Sequence, residues 1–182
     1  SPSANFDVPI SGGKVSTVAI WSADTTNASR NPSGFITGGT FGIKDGRVEG
    51  NGNTWTSCLT DTANTATMTV TGGTFNGGFR VQAGTTMTIE GGSFNDVGGS
   101  KYNIYGTVSV KGGTFTDATA KTFAANNLAE GYTLGENGAV VAPVAKIGDV
   151  YYTSLQAAIN AAQAGDTVVV LPGEYGAIDI SN

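Results

Sequence analysis

Apolar and polar residues alternate along three short segments of the chain, and each segment leads into the same phrase. The segments are Thr67–Val70, Thr86–Ile89 and Thr107–Val110, in which every second residue is apolar. A period of two predicts β-strands that bury one face and expose the other. One residue after each strand come two glycines, then Thr or Ser, then Phe, and a further copy of this phrase ends at Phe41.

The copies recur at a nearly constant distance. Their first glycines, Gly72, Gly91 and Gly112, lie 19 and then 21 residues apart. A repeat of about twenty residues indicates one structural unit stacked on copies of itself. Because glycine corners separate three short strands in each repeat, the pattern predicts an all-β chain wound as a parallel β-helix, a solenoid, over residues 1–118.

Stacked coils place equivalent residues directly above one another, about 4.8 Å apart. Inside the coil we expect Met68 to stack on Met87, and we expect the amides of Asn76 and Asn95 to form a ladder. The phenylalanines of the four phrases are predicted to form an internal aromatic column: Phe41, Phe75, Phe94 and Phe115.

The repeat ends near residue 118, and an uncovered β-helix end would be an open sheet edge. The pattern predicts a helix over 119–130 and then a hairpin that joins 132–134 to 139–141 across Asn137-Gly138. We therefore expect residues 119–145 to form a cap.

The last part of the chain, residues 146–182, has a different pattern. It predicts a second hairpin over 146–152, a helix with Ser154 as N-cap and Gly165 as C-cap, and a buried strand that begins at Asp166. We expect this helix and strand to form a small C-terminal segment.

Two motifs in this segment carry a resemblance to a known superfamily. Leu155-Gln156-Ala157-Ala158-Ile159, followed by Ala164-Gly165-Asp166-Thr167-Val168 and Pro172-Gly173-Glu174-Tyr175, resembles the opening of pectate-lyase-like right-handed β-helix proteins. The resemblance implies a right-handed coil and a second β-helical module that starts at residue 146 and is truncated here. Together with the repeats, it resembles tandem modules of large bacterial surface proteins, which implies a secreted or cell-surface location.

Composition excludes several function classes. The formal charge is −5, from 9 basic and 14 acidic residues, so we expect no nucleic-acid partner. No apolar run is long enough for a membrane span, so no membrane insertion is expected. With one cysteine and no histidine, the chain can form neither an internal disulfide nor a zinc site, and we expect no cofactor.

Two acids repeat in register and are the candidates for a metal site. Asp96 and Asp117 each lie five residues after the first glycine of their phrase. On neighbouring coils, such carboxylates could bind calcium or act as a hydrolytic pair. The alternative is that both are turn residues that face solvent.

The outward strand positions form two columns of hydroxyl groups: Thr67, Thr86 and Thr107, and Thr69, Thr88 and Ser109. Such a lattice resembles the faces of ice-binding β-helices, although Thr is also a common strand residue on a wet face. Trp55, in a polar stretch predicted to be a loop over 51–60, is a candidate to stack on a sugar ring.

These observations favour a non-enzymatic module that acts as a rigid spacer or as an adhesin, with a glycan or another host-surface ligand as its partner. The alternative is a fragment of a carbohydrate-active polysaccharide lyase or hydrolase. An ice-binding surface is a third hypothesis.

Overall fold

The computed structural model describes residues 6–15, 18–22, 32–44, 47–48, 55–60, 66–95 and 102–178. The strands up to residue 117 are β1 (Phe6–Ile10), β2 (Lys14–Val15), β3 (Val18–Ser22), β4 (Pro32–Ile36), β5 (Thr40–Phe41), β6 (Ile43–Lys44), β7 (Arg47–Val48), β8 (Trp55–Thr60), β9 (Thr67–Val70), β10 (Thr74–Phe75), β11 (Gly78–Val81), β12 (Thr86–Ile89), β13 (Ser93–Phe94), β14 (Asn103–Ile104), β15 (Thr107–Val110) and β16 (Thr114–Phe115).

The remaining elements are helix α1 (Ala118–Asn126), strands β17 (Thr133–Leu134), β18 (Val140–Val141), β19 (Ala145–Ile147) and β20 (Val150–Tyr152), helix α2 (Leu155–Ala161) and strand β21 (Val168–Val170). The described chain thus has far more strand than helix, as the alternation predicted.

Three parallel sheets make up the larger part of the structure. The first has the order β1-β4-β9-β12-β15, the second β2-β5-β10-β13-β16 and the third β3-β8-β11-β14. Apart from the β6–β7 hairpin, successive strands up to β16 belong to different sheets, and the chain visits the three sheets in the same order each time. The prediction of parallel pairing between repeats is confirmed.

The four phenylalanines of the repeated phrase form the predicted column. Their rings stack with centroid distances of 4.8, 4.9 and 4.5 Å and interplanar angles of 12°, 7° and 9°. All four side chains are buried, as are Met68 and Met87, which lie opposite each other in the first sheet. Burial of the four stacked rings and of the two methionines holds the sheets together.

The first two turns of the chain differ from the prediction. Residues 51–60 were expected to be a loop, but Trp55–Thr60 is a strand of the third sheet, paired with β3 and β11. The excursion lies earlier, where β6 and β7 form a small antiparallel hairpin between strands of the second and third sheets. The loop prediction was wrong because the extra residues enter before this strand and hide its place in the repeat.

An additional turn precedes the first phrase. Strands β1, β2 and β3 each add to one of the three sheets, and Val15 pairs with Phe41 in the register of the phenylalanine column. The sequence Gly12-Gly13-Lys14-Val15 is therefore a divergent copy of the phrase, in which valine stands where the other copies have phenylalanine.

Both predicted hairpins near the C-terminal end are confirmed, since β17 pairs with β18 and β19 with β20, each antiparallel. Helix α1 is shorter than the predicted 119–130. Helix α2 begins after Ser154 as predicted but has Ala162, not Gly165, as its C-cap. The Asp166 carboxylate accepts a hydrogen bond from the backbone N–H of Gln163 at 2.8 Å, which holds this segment in a turn outside the helix.

The prediction of a buried strand after Asp166 was wrong in one respect. Strand β21 exists and pairs with β19, but it is an edge strand of the sheet β20-β19-β21. Val169 and Val170 are 42% and 48% exposed. A run of valines fits a strand equally well whether or not another layer covers it, so the sequence alone did not give its burial.

Candidate functional site

The outer face of the first sheet carries the two predicted columns of hydroxyl groups. Thr67, Thr86 and Thr107 are in register in three neighbouring strands, and Thr69, Thr88 and Ser109 form the adjacent column. The first column is exposed and the second is half-buried. The structure thus brings all six predicted residues onto one surface.

This hydroxyl face extends by one strand beyond the predicted residues. In β4, Ser33 lies opposite Thr67 and accepts a hydrogen bond from its hydroxyl at 3.1 Å, and Phe35 lies opposite Thr69. Phe35 is 37% exposed and ends the second column with an aromatic ring. Aligning Ile36 with Val70 would have revealed Phe35 from the sequence, but Gly34 interrupts the alternation there.

Trp55 does not lie in a loop. It begins β8 and pairs with Gly78 of β11 in the third sheet. Nothing further is described of its side chain, so sugar stacking by Trp55 stays a prediction. Trp55 lies in the third sheet, whereas the hydroxyl columns lie on the first sheet. Trp55 and the hydroxyl columns are therefore not parts of one sheet face.

The acid pair is only half described. Asp117 is the N-cap of α1, and its Oδ1 accepts a hydrogen bond from the backbone N–H of Ala120 at 2.9 Å. Asp96 lies outside the described residues. Within the described ranges, no group of three or more His, Cys, Asp or Glu side chains could hold a metal ion.

The predicted amide ladder is present at the corner after the second sheet. Asn95 donates through Nδ2 to Oδ1 of Asn76 at 3.2 Å, and the Thr116 hydroxyl donates to Oδ1 of Asn95 at 2.7 Å. Asn76 is buried. The ladder satisfies polar groups that would otherwise be costly to bury, so its role is structural.

A cleft lies where the third sheet ends. The first two sheets have five strands, whereas the third has four and ends at β14. Helix α1 packs beside this end, and the ring of its Phe123 stacks on the Tyr102 ring with a centroid distance of 4.4 Å. Between helix and strand is an open cleft of about 740 Å³, whose walls include Tyr102, Ile104, Thr119, Thr122, Phe123 and Asn126.

The sequence could have revealed only one wall of this cleft. Thr119, Thr122 and Asn126 have the i, i+3, i+7 spacing of one helix face, and a helix was predicted there. The opposite wall, with Tyr102 and Ile104, depends on how the helix packs on the third sheet, which the pattern does not specify.

One tyrosine has a shifted acidity. The Tyr151 hydroxyl donates a hydrogen bond to a carboxylate oxygen of Glu130 at 3.2 Å. Desolvation by partial burial raises the pKa of Tyr151 above its usual 10.0, and the negative charge and hydrogen bond of Glu130 raise it further. At neutral pH the Tyr151 hydroxyl is therefore uncharged. Its hydrogen bond links the β19–β20 hairpin to Glu130, which follows α1 in the chain.

In the part of the chain that the structure describes, neither helix has the length and apolar character that crossing a membrane requires. Comparisons of the chain with protein-family models, with curated proteins and with solved structures found no match.

Proposed function

We propose that residues 6–117 wind as a right-handed parallel β-helix, and that the chain is a rigid, non-enzymatic module of a secreted or cell-surface bacterial protein. Its role would be to hold neighbouring parts of a longer polypeptide apart, or to display an adhesive surface. The observation that carries this proposal is the unbroken register of the three parallel sheets around the stacked phenylalanine column.

That register supports rigidity for a physical reason. Every turn of the chain is hydrogen-bonded to the turn before it in all three sheets or, at the end, in two of them. Each stacked aromatic pair adds about 0.5–1.5 kcal/mol beyond the area that it buries. Bending the coil would have to open ladder hydrogen bonds and separate rings at the same time, so a stiff rod is expected.

The proposal is tested by measuring a distance along the coil. Ser11 and Lys111 are exposed and follow the outermost paired residues of the first sheet, Ile10 and Val110. Four strand spacings separate them, or about 19 Å. With Cys58→Ser as background, spin labels at Ser11→Cys and Lys111→Cys should give one narrow distance distribution by pulsed electron paramagnetic resonance.

Adding Phe94→Ala to the labelled protein provides the control, since a gap in the column should broaden the distribution. A broad or multiple distribution in the intact column would contradict the rigid rod. Turnover of pectin or another acidic polysaccharide by the chain would contradict the non-enzymatic role.

A further inference from the structure

The cleft between β14 and α1 has two walls of different chemistry. One wall contains the aromatic ring of Tyr102 and the side chain of Ile104, which are half-buried. The other is the face of α1 that carries Thr119, Thr122 and Asn126, all exposed. The wall formed by Tyr102 and Ile104, which we call the aromatic floor, therefore faces a row of uncharged hydrogen-bonding groups on α1.

Most of the polar side-chain groups on this face of α1 are not used in hydrogen bonds among the described residues. The Thr122 hydroxyl donates to the carbonyl oxygen of Ala118 at 2.8 Å and keeps its lone pairs as acceptors. Within the described ranges, the side chains of Thr119 and Asn126 form no hydrogen bond. Together they offer a hydroxyl and an amide, and the amide both donates and accepts.

The aromatic floor is held in place by packing. Tyr102 stacks on Phe123 with an interplanar angle of 18°. The Phe123 ring in turn packs on the rings of Phe79 and Phe115, with centroid distances of 5.5 and 6.2 Å. Phe123 is only 4% exposed. This chain of rings ties the floor of the cleft to the phenylalanine column, so a bound molecule would meet a surface that is already ordered.

From this juxtaposition we propose that the cleft between β14 and α1 binds a short neutral saccharide. A sugar ring has an apolar face that packs on an aromatic or aliphatic surface and a rim of hydroxyls that need uncharged donors and acceptors. The described lining residues carry no charged side chain, so nothing there pairs with a carboxylate or phosphate. The volume of about 740 Å³ lies within the range of small-molecule sites.

This saccharide site rests on the proposed display role, to which it adds a location and a ligand class. The test has two stages. A glycan array that carries neutral gluco-, galacto- and manno-oligosaccharides, together with uronic-acid oligosaccharides of the same lengths, identifies a ligand. Titration of that oligosaccharide into the isotope-labelled protein should then shift the backbone amide signals of Thr119, Thr122 and Asn126.

Asn126→Ala and Thr119→Ala should each weaken binding about fivefold, which corresponds to one lost hydrogen bond. Asn160→Ala on α2 is the matched control, because it removes an exposed helical asparagine outside the cleft and should leave affinity unchanged. Tyr102→Leu should weaken binding more strongly. If Tyr102→Leu fails to fold, the two exposed variants still decide the question.

Binding confined to uronic-acid oligosaccharides, absence of binding to any saccharide, or binding that both α1 variants leave unchanged would each overturn the proposal. None of these outcomes bears on the label distance along the coil, so failure of the saccharide site and failure of the rigid module can be told apart.

Discussion

The two glycines of the repeated phrase are required for different reasons. A Cβ at the first of them, as at Gly91, would overlap the backbone carbonyl oxygen of Thr71 in the preceding turn. The second, as at Gly92, has a φ of +105°, which residues with a side chain rarely adopt. The first glycine thus allows close stacking of turns, and the second allows the corner itself.

Replacing the first glycine should therefore be costly only where another turn lies beneath it. Gly91→Ala should lower the free energy of unfolding by about 1–3 kcal/mol, because the backbone must shift to relieve the overlap. Gly12 occupies the same place in the first turn, and a Cβ there would meet nothing within 4 Å. Urea unfolding of Gly12→Ala should differ from the wild type by less than about 0.5 kcal/mol. Equal losses in both variants would contradict this account.

At the scale of elements, the start of helix α1 is determined by a single side chain. Asp117 has extended backbone angles and caps the helix through the N–H of Ala120. Carboxylates at this position also interact favourably with the helix dipole. The helix in turn supplies Phe123 to the aromatic core and one wall of the cleft, so the cap positions both.

Asp117→Ala should reduce the free energy of unfolding by about 0.5–2 kcal/mol, whereas Asp117→Ser should restore most of it because serine is also a good N-cap. Chemical denaturation followed by circular dichroism measures both. If Ser is as destabilising as Ala, capping is not the role of this side chain. A melting temperature that rises with calcium in the wild type but not in Asp117→Ser would instead support the predicted metal site.

At the level of elements, the sequence predicted strands well wherever the alternation is regular and poorly where it is interrupted. Strands β9, β12 and β15 follow directly from their period of two. Strand β8 was missed because the β6–β7 hairpin enters ahead of it and breaks the period. The end of α2 was misplaced because glycine is a common C-cap residue, which favoured Gly165. In the structure, the Asp166 carboxylate holds residues 163–166 in a separate turn after the helix.

At the scale of the whole molecule, the described residues form the three parallel sheets with the inserted β6–β7 hairpin, then α1 and the β17–β18 hairpin, and a smaller unit of β19, β20, β21 and α2. Tyr151 connects the smaller unit to the segment between α1 and β17. Its hydroxyl donates a hydrogen bond to Glu130, and its ring packs so closely on Gly131 that a Cβ there would overlap it. This contact depends on pH because its donor is ionisable.

The pKa of Tyr151 is raised in the folded chain, so its contribution to stability is fully present below pH 10.0 and is lost as the pH rises through the higher folded value. In a spectroscopic titration of tyrosinate, compared with Tyr151→Phe, the variant Glu130→Gln should move this pKa back toward its usual value. Asp149→Asn should lower it less, since Asp149 is the smallest of the contributing causes. No difference between wild type and Glu130→Gln would exclude this coupling.

The order of the repeats, their regularly alternating strands, the phenylalanine column and the amide ladder follow from the sequence alone. They are local patterns repeated at one period, and stacking on a copy is the way such a pattern buries its apolar face. The exposure of β21 and the cleft beside α1 were decided by the tertiary structure. Each depends on which surfaces meet across long distances in the chain, and a pattern of hydrophobic positions does not record which partner, if any, covers them.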